Sequence, residues 1–310
     1  MKALNDLYST PYHSIFNNDS KFIPTGYPTV DDMMNDLPTK KVTVLTGVPK
    51  EGKSTFLHRS LLHAVDKGHR VLLVDGEHDQ DTLINKLYGI VIGNEPNTFK
   101  RRKINKMDFI EPKQNVIAQL REWHKDRLMI FTKYLAPFNT LDELFSFIEP
   151  VIVEKKIDLV IFDNLMMLID GASSEKVENQ SRFMKRTCDM AKAKNCHCVV
   201  VAHPRKGAIA GQPMDMYDVL GSSDIVNLVD YLIQIMRVYH NPEEEHDPAD
   251  AYCRIILNRT RGRNIGNIPL HFDTETESLL EMNANGKGIE DKFDWRMEDK
   301  QQWLKQKSPF

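Results

Sequence analysis

The 310-residue chain lacks any run of about 18 uninterrupted apolar residues, so nothing in it reads as a membrane-spanning helix. Its first residues hold no apolar stretch of the signal-peptide kind, and Asp6 and Asp19 argue against an organelle transit peptide. A cytoplasmic location is expected, in a bacterium or in a virus-infected host cell. Cysteine is scarce. Cys188, Cys196, Cys198 and Cys253 are too scattered for a disulfide framework, which points to a reducing compartment. Cys196-His197-Cys198 resembles a metal motif but lacks a second pair at zinc spacing, so it reads as buried thiols leading into a strand. There is no basic excess. With 41 Lys and Arg against 44 Asp and Glu, the net charge is −3. No global field draws the chain to nucleic acid, and any such contact falls to local basic loops. No internal repeat and no second core is legible, and a 41% hydrophobic content suffices for one large α/β core.

What is present is organised around Lys41 to Phe56. Val42, Val44 and Leu45 read as a short buried strand. Gly47-Val48-Pro49-Lys50-Glu51-Gly52-Lys53-Ser54 then fits G-x-x-x-x-G-K-[ST], followed by Thr55. From Phe56, the apolar residues Leu57, Leu61, Leu62 and Val65 recur at helical spacing. Strand, motif and helix in register are the context the motif requires. Gly47 and Gly52 allow a tight loop whose N–H groups point inward at phosphate oxygens, and the helix start adds positive dipole. Lys53 is expected to reach the β- and γ-phosphates and Ser54 to give its hydroxyl to Mg²⁺. This reads as a nucleoside triphosphate site for ATP or another NTP.

Later stretches complete it. Val71–Val74 is a strand ending at Asp75-Gly76-Glu77, beside a helix from about Asp79 to Val91. A carboxylate at such a strand end lies where ligands bind, so Glu77 is the candidate to orient the attacking water, with Asp75 and Asp79 as rivals. Ile157–Asp163 is an apolar strand ending in an acid, and Asp163 is expected to hold Mg²⁺. His197–Ala202 is another buried strand, ending at His203-Pro204-Arg205-Lys206, and His203 is positioned to sense the γ-phosphate. The five basic residues within Lys100–Lys106 are read as a solvated surface loop. Thr140-Leu-Asp-Glu143 is a capping box opening a helix to about Val153. Residues 207–215 read as a mobile loop, Leu220–Ser223 as a helix start, and Arg259 and Arg261 share one face of an extended segment.

Strands near 42, 71, 128, 157 and 197 alternate with helices and give way to closely spaced strands. The fold class is α/β, a doubly wound, mostly parallel sheet with an antiparallel C-terminal extension. Residues 1–24 form an arm or a frayed terminus, 25–282 the main domain, and 283–310 a charged tail.

Taken in order, the P-loop, Glu77, Ile157–Asp163, Val199–Lys206, Gly221-Ser-Ser223 and Asn258–Gly266 resemble the RecA-like P-loop motor of DnaB-type ring helicases, over roughly residues 25–281. The Twinkle-like and bacteriophage primase-helicases, in their helicase part, are the nearest branches. The resemblance implies a homo-oligomeric ring, six subunits in the family pattern, that hydrolyses ATP with Mg²⁺ and translocates on single-stranded DNA. It implies that Glu77 is the catalytic glutamate, Asp163 the Mg²⁺-associated acid and His203 the γ-phosphate sensor. Arg205, Lys206, Gly207 and the loop to about Asp215 match the DNA-binding loop. Arg259 and Arg261 match the pair that reaches the neighbour's ATP, with Arg261 preferred for the finger and Arg263 an additional basic residue. Arg237 matches a residue near the nucleotide base. Asp75-Gly76 departs from the family pattern. Priming would fall to another protein, and a separate primase, polymerase or loader is an expected partner. Two alternatives share the core: a recombinase- or clock-protein-type ATPase that does not unwind DNA, and a non-catalytic ring scaffold that binds ATP and DNA.

Overall fold

The structure, a computed structural model, describes residues 20–93, 95, 98–104, 107–134, 138, 140–168, 176–205, 207–219, 228–238, 250–258, 266–274, 276–289 and 292–296. In chain order these form β1 (Phe22–Ile23), α1 (Pro28–Met34), β2 (Leu37–Pro38), β3 (Val42–Thr46), α2 (Lys53–Asp66), β4 (Val71–Asp75) and α3 (Gln80–Ile92). There follow β5 (Phe99–Ile104), β6 (Met107–Pro112), α4 (Gln114–His124), β7 (Leu128–Thr132), α5 (Leu141–Lys155), β8 (Leu159–Asp163), α6 (Leu165–Leu168) and α7 (Lys176–Lys194). The chain continues through β9 (His197–Ala202), β10 (Tyr231–Arg237), β11 (Ala251–Asn258), β12 (Gly266–Asp273) and β13 (Ser278–Glu281).

Nine strands make the main sheet, in the order β13-β12-β11-β10-β3-β9-β8-β4-β7. The strands from β10 to β7 pair in parallel, and β11, β12 and β13 are added antiparallel. Parallel strands covered on both faces need apolar side chains on both. The sequence supplies them with a period of two. Leu73, Ile161, Val199 and Leu45 join the core on one side, with Leu57, Leu61 and Leu83 from α2 and α3. Val74, Phe162, Val200 and Val44 join the core on the other, with Phe145 and Phe183 from α5 and α7. None of the described helices is long and apolar enough to cross a membrane.

The five strands expected to alternate with helices are all present. The antiparallel extension begins at β11, since β10 runs parallel to β3. One reading changes. Lys100–Ile104 is strand rather than loop: β5 and β6 form a separate hairpin, its register setting Lys100 opposite Glu111. Opposite charges across a ribbon are favourable, and neither face of a two-stranded ribbon has to be apolar. Thr140 is the N-cap of α5, its Oγ1 accepting from Glu143 N at 3.1 Å. All four cysteines are buried and free. Both ring nitrogens of His197 are engaged, Nδ1 at 2.8 Å from Pro38 O and Nε2 at 2.9 Å from Thr43 Oγ1. The expectations for residues 1–19, 220–227 and 297–310 fall outside the described residues.

The segment before the P-loop is anchored to it. Tyr27 is fully buried and stacks on Phe56 of α2, with centroids 4.2 Å apart and planes 13° from parallel, and its hydroxyl donates to Leu279 O at 2.9 Å. One side chain therefore joins α1, the P-loop helix and β13. Tyr27→Ala is expected to cost about 3–5 kcal/mol by urea denaturation, and Tyr27→Phe only about 1 kcal/mol, the worth of the hydroxyl's bond.

Candidate active site

The carboxyl ends of β3, β4, β8, β9 and β10 open into one cleft of about 410 Å³. Lining it are Pro49 to Thr55, Glu77, Asp163, Asn164, His203 and Arg237, with Asp250, Phe272 and Leu279 opposite. Open α/β sheets bind ligands at this edge.

The loop after β3 is shaped by two glycines. Gly47 has φ +153°, and a Cβ there would lie 2.4 Å from Ile235 O, so only glycine fits between β3 and β10. Gly52, at φ +96°, caps the start of α2. Lys53 opens that helix and is buried. Its Nζ donates to Gly47 O at 2.9 Å and Val48 O at 3.0 Å, across the mouth of the loop. Burial lowers its pKa, opposed by the nearby Asp163, Glu51 and Glu77. Ser54 Oγ donates to Asp163 Oδ2 at 2.9 Å. Burial pushes the Asp163 carboxyl up to about 6, a rise opposed by the Ser54 bond and reinforced by Asp75 and Glu77. A hydroxyl and a carboxylate side by side are hard oxygen donors, the set that suits Mg²⁺. The glycine cradle and the lysine at the helix start suit a polyphosphate.

Glu77 is exposed at the lip of the cleft. Asn164, directly after Asp163, donates through Nδ2 to Glu77 Oε1, and the same nitrogen is 3.4 Å from His203 Nε2. The pKa of His203 is lowered by burial and by Lys53, opposed by Glu77. Its Nδ1 is buried without a hydrogen-bond partner among the described residues. Glu77, Asn164 and His203 therefore form one polar chain from β4 through β8 to β9.

The rivals to Glu77 have other tasks. Asp79 is the N-cap of α3, accepting from Thr82 N at 2.9 Å and Thr82 Oγ1 at 2.7 Å. Asp75 is fully buried and accepts from Glu77 N at 2.7 Å, His78 N at 2.6 Å and His78 Nδ1 at 3.1 Å. Arg237, at the end of β10, lies over the Phe272 ring at 5.7 Å, and Phe272 offers the cleft an aromatic surface.

Arg205 and Gly207 follow β9 on an exposed loop outside the cleft, while Lys206, Arg259, Arg261 and Arg263 lie outside the described residues. That loop is tied back to the nucleotide side. Glu51, only 1% exposed, accepts from Val48 N at 2.8 Å through Oε2 and from Gly211 N at 2.7 Å through Oε1. Gln234, fully buried on β10, accepts from Met214 N at 2.9 Å and donates to Gln212 O at 2.8 Å. Sequence reasoning passed over the special parts of Asn164, Glu51, Gln234 and Phe272. The available signals were a second polar residue after the strand-end acid and a carboxylate inside a loop built for anions.

A family model described as an AAA domain matches residues 16–208, well over half of the chain. The chain belongs to that family. No curated protein matches the sequence. Solved structures that share the fold of this AAA domain include the following two. One is described as an ATPase domain, at 16% identity and a TM-score of 0.71, covering 91% of this chain and 100% of that one. The other is a DnaB-like replicative helicase described with its interactions with primase, at 17% identity and a TM-score of 0.70, covering 89% of this chain and 68% of that one. The RecA-like fold of DnaB-type motors, expected from the motifs, is the fold of the AAA domain.

A proton and a cation would compete at Asp163. Its carboxyl is raised to about 6, so Mg²⁺-dependent nucleotide binding should weaken as pH falls through 6, by up to about tenfold per unit. Asp163 itself should act on the cation-free fold with the opposite sign, adding stability as pH falls from 6 towards 4. His58 and His197, lowered to about 4 by burial, act the other way, so the effect is read as the difference from Asp163→Asn. Fluorescent-nucleotide titrations with and without Mg²⁺ between pH 5 and pH 8 check the first. Urea melts of the wild type and Asp163→Asn between pH 4 and pH 8 check the second.

Proposed function

We propose that the chain is an ATP-hydrolysing DNA helicase motor that assembles as a ring, six subunits in the family pattern, and pulls itself along single-stranded DNA. The observation that carries this reading is the buried Glu51 carboxylate, shared between the nucleotide loop at Val48 and the 205–215 loop at Gly211. A mere ATPase has no need of such a bond, whereas a motor must transmit the state of its phosphate site to the element that grips its track. The motif order across residues 25–282 supports the same reading, as does the fold shared with a DnaB-like replicative helicase described with its primase. A separate primase, polymerase or loader is a fitting partner.

Lys53 would leave the Gly47 and Val48 carbonyls for the β- and γ-phosphates. Ser54 and Asp163 would hold Mg²⁺, which when bound neutralises phosphate charge. Glu77, steadied by Asn164, would orient a water and take its proton as the water oxygen attacks the γ-phosphorus, the nucleoside diphosphate leaving. Phe272 and Arg237 would flank the base. The exposure of Glu77 supports a site finished by a neighbouring copy, since a general base open to bulk water gains from a cover. Arg261, with Arg259 beside it, would supply that copy's charge to the transition state. Loss of the γ-phosphate would be felt at His203 through Asn164 and at Gly211 through Glu51. Arg205, Lys206 and Gly207 would pass that movement to the DNA backbone, in a contact that is salt-sensitive and blind to sequence.

Four measurements test the proposal. ATPase rate per chain should rise with protein concentration, and forked DNA should be unwound only with ATP and Mg²⁺; full turnover by a monomer would overturn the ring. Arg261→Ala should lower kcat by about 10³–10⁵-fold with nucleotide binding retained, and normal turnover would move the finger to Arg259 or Arg263. Glu51→Gln sets an amide N–H against Gly211 N or Val48 N. It should cut the stimulation of ATPase by DNA about tenfold or more while nucleotide still binds.

A further inference from the structure

One constellation behind the cleft is only partly used by this mechanism. His58 stands one turn after Ser54 on α2, so both face the ends of β4 and β8. One ring nitrogen of His58, one carboxylate oxygen of Asp75 and one of Asp163 lie within 4.8 Å of one another. The three residues are 4%, 0% and 2% exposed. His58 Nε2 is buried with no hydrogen-bond partner among the described residues. A buried imidazole beside two buried carboxylates, with one ring nitrogen unbonded, calls for a cation that takes electron pairs from all three.

The chemistry narrows that ligand. Two carboxylates and a neutral imidazole balance one doubly charged cation. Asp75 has three hydrogen-bond donors on a group with about four acceptor sites, which leaves one free. One nitrogen with two oxygens suits ions of borderline softness, Mn²⁺, Co²⁺ and Zn²⁺, better than Mg²⁺, which prefers oxygen alone. With metal–ligand bonds of about 2.0–2.2 Å, ligand atoms sit about 3–4 Å apart, so the cluster would need only a small contraction.

We propose that His58, Asp75 and Asp163 hold a second divalent cation, of the Mn²⁺ to Zn²⁺ class, behind the cation that accompanies the nucleotide. Asp163 belongs to both sites, Ser54 to the front one, and His58 and Asp75 to the rear one. The rear ion fixes Asp75, whose carboxylate holds the backbone N–H of Glu77, and so positions the glutamate without touching substrate. The proposal rests on this cluster alone and stands apart from the ring and DNA reading.

The test uses the full chain without nucleotide and Mn²⁺ as probe. Mn²⁺ titration followed by electron paramagnetic resonance should find one tightly held ion per chain, and pulsed spectra should show a directly coordinated ¹⁴N. His58→Ala should abolish the nitrogen coupling and weaken nucleotide-free Mn²⁺ binding by about tenfold or more. His78→Ala should leave the coupling in place. Zn²⁺ should displace the Mn²⁺ from the wild-type chain, which keeps the test open if His58→Ala does not fold. Absence of a nitrogen-coupled ion in the wild type, or a coupling that survives His58→Ala, overturns the site. Fluorescent-nucleotide binding with Mg²⁺, measured in parallel, reports on the front site separately, so failure of one reading is told apart from failure of the other.

Discussion

The register of two parallel strands puts two acids side by side. Asp75 and Asp163 are paired across β4 and β8, both at carboxyl ends and both buried. Neighbouring strands lie about 4.8 Å apart, and two negative charges at that distance repel by on the order of 3 kcal/mol at an effective dielectric constant of 20. The fold meets this by treating the two differently. For Asp75, hydrogen bonds from His78 and from the backbone of Glu77 and His78 outweigh burial and lower its pKa. Asp163 receives one hydroxyl, and burial lifts it to about 6. One acid is thereby a fixed anion and the other a site waiting for positive charge. The groups that can supply it lie around Asp163: the Lys53 ammonium, and the cations proposed beside Ser54 and at His58.

That arrangement explains why the glutamate is where it is. Residues after Asp75 cannot continue the strand while its carboxylate accepts from the N–H groups of Glu77 and His78. The chain turns, and the turn carries Glu77 out to the lip of the cleft. Asp79 then starts α3 by capping Thr82. A strand, an Asp-led turn and a helix cap follow one another within a short stretch, and the exposed acid between them, which accepts from Asn164, is the one proposed to meet a water.

Much of the fold could be read before any coordinates because each parallel strand is apolar on both faces, and such runs have few other uses. The P-loop was legible for a similar reason: its glycines answer a backbone demand, seen at Gly47 where a side chain would strike the carbonyl of Ile235. The hairpin of β5 and β6 was not, because a ribbon outside the main sheet needs no apolar period, and Lys100–Lys106 looks the same as solvated strand or solvated loop. Asn164, Glu51 and Gln234 were illegible in a different way. Their side chains acquire meaning only from partners 87, 160 and 20 residues away. A polar residue in sequence carries no mark of the distant backbone group it will satisfy.

Two routes lead from the cleft towards the 205–215 loop, and they differ in what would drive them. The chain Glu77–Asn164–His203 consists of hydrogen bonds, one of them 3.4 Å long, and it reaches the loop only at its base. Glu51 is a buried negative charge inside the loop proposed to receive phosphates, and it holds Gly211, in the middle of the other loop. Lys53 is poised near it, lodged on Val48 O, while Glu51 itself takes Val48 N. In the proposed mechanism, drawing the ammonium towards phosphates removes a positive neighbour and adds a negative one, and both changes raise the cost of keeping the Glu51 charge where it is. Repulsion between charges in a poorly hydrated site outweighs the strengthening or loss of a single long neutral hydrogen bond. Glu51 would therefore be the stronger of the two proposed couplings, with Gln234 as the fixed point against which the loop would swing: it is fully buried on β10 and bonds the loop at Gln212 and Met214.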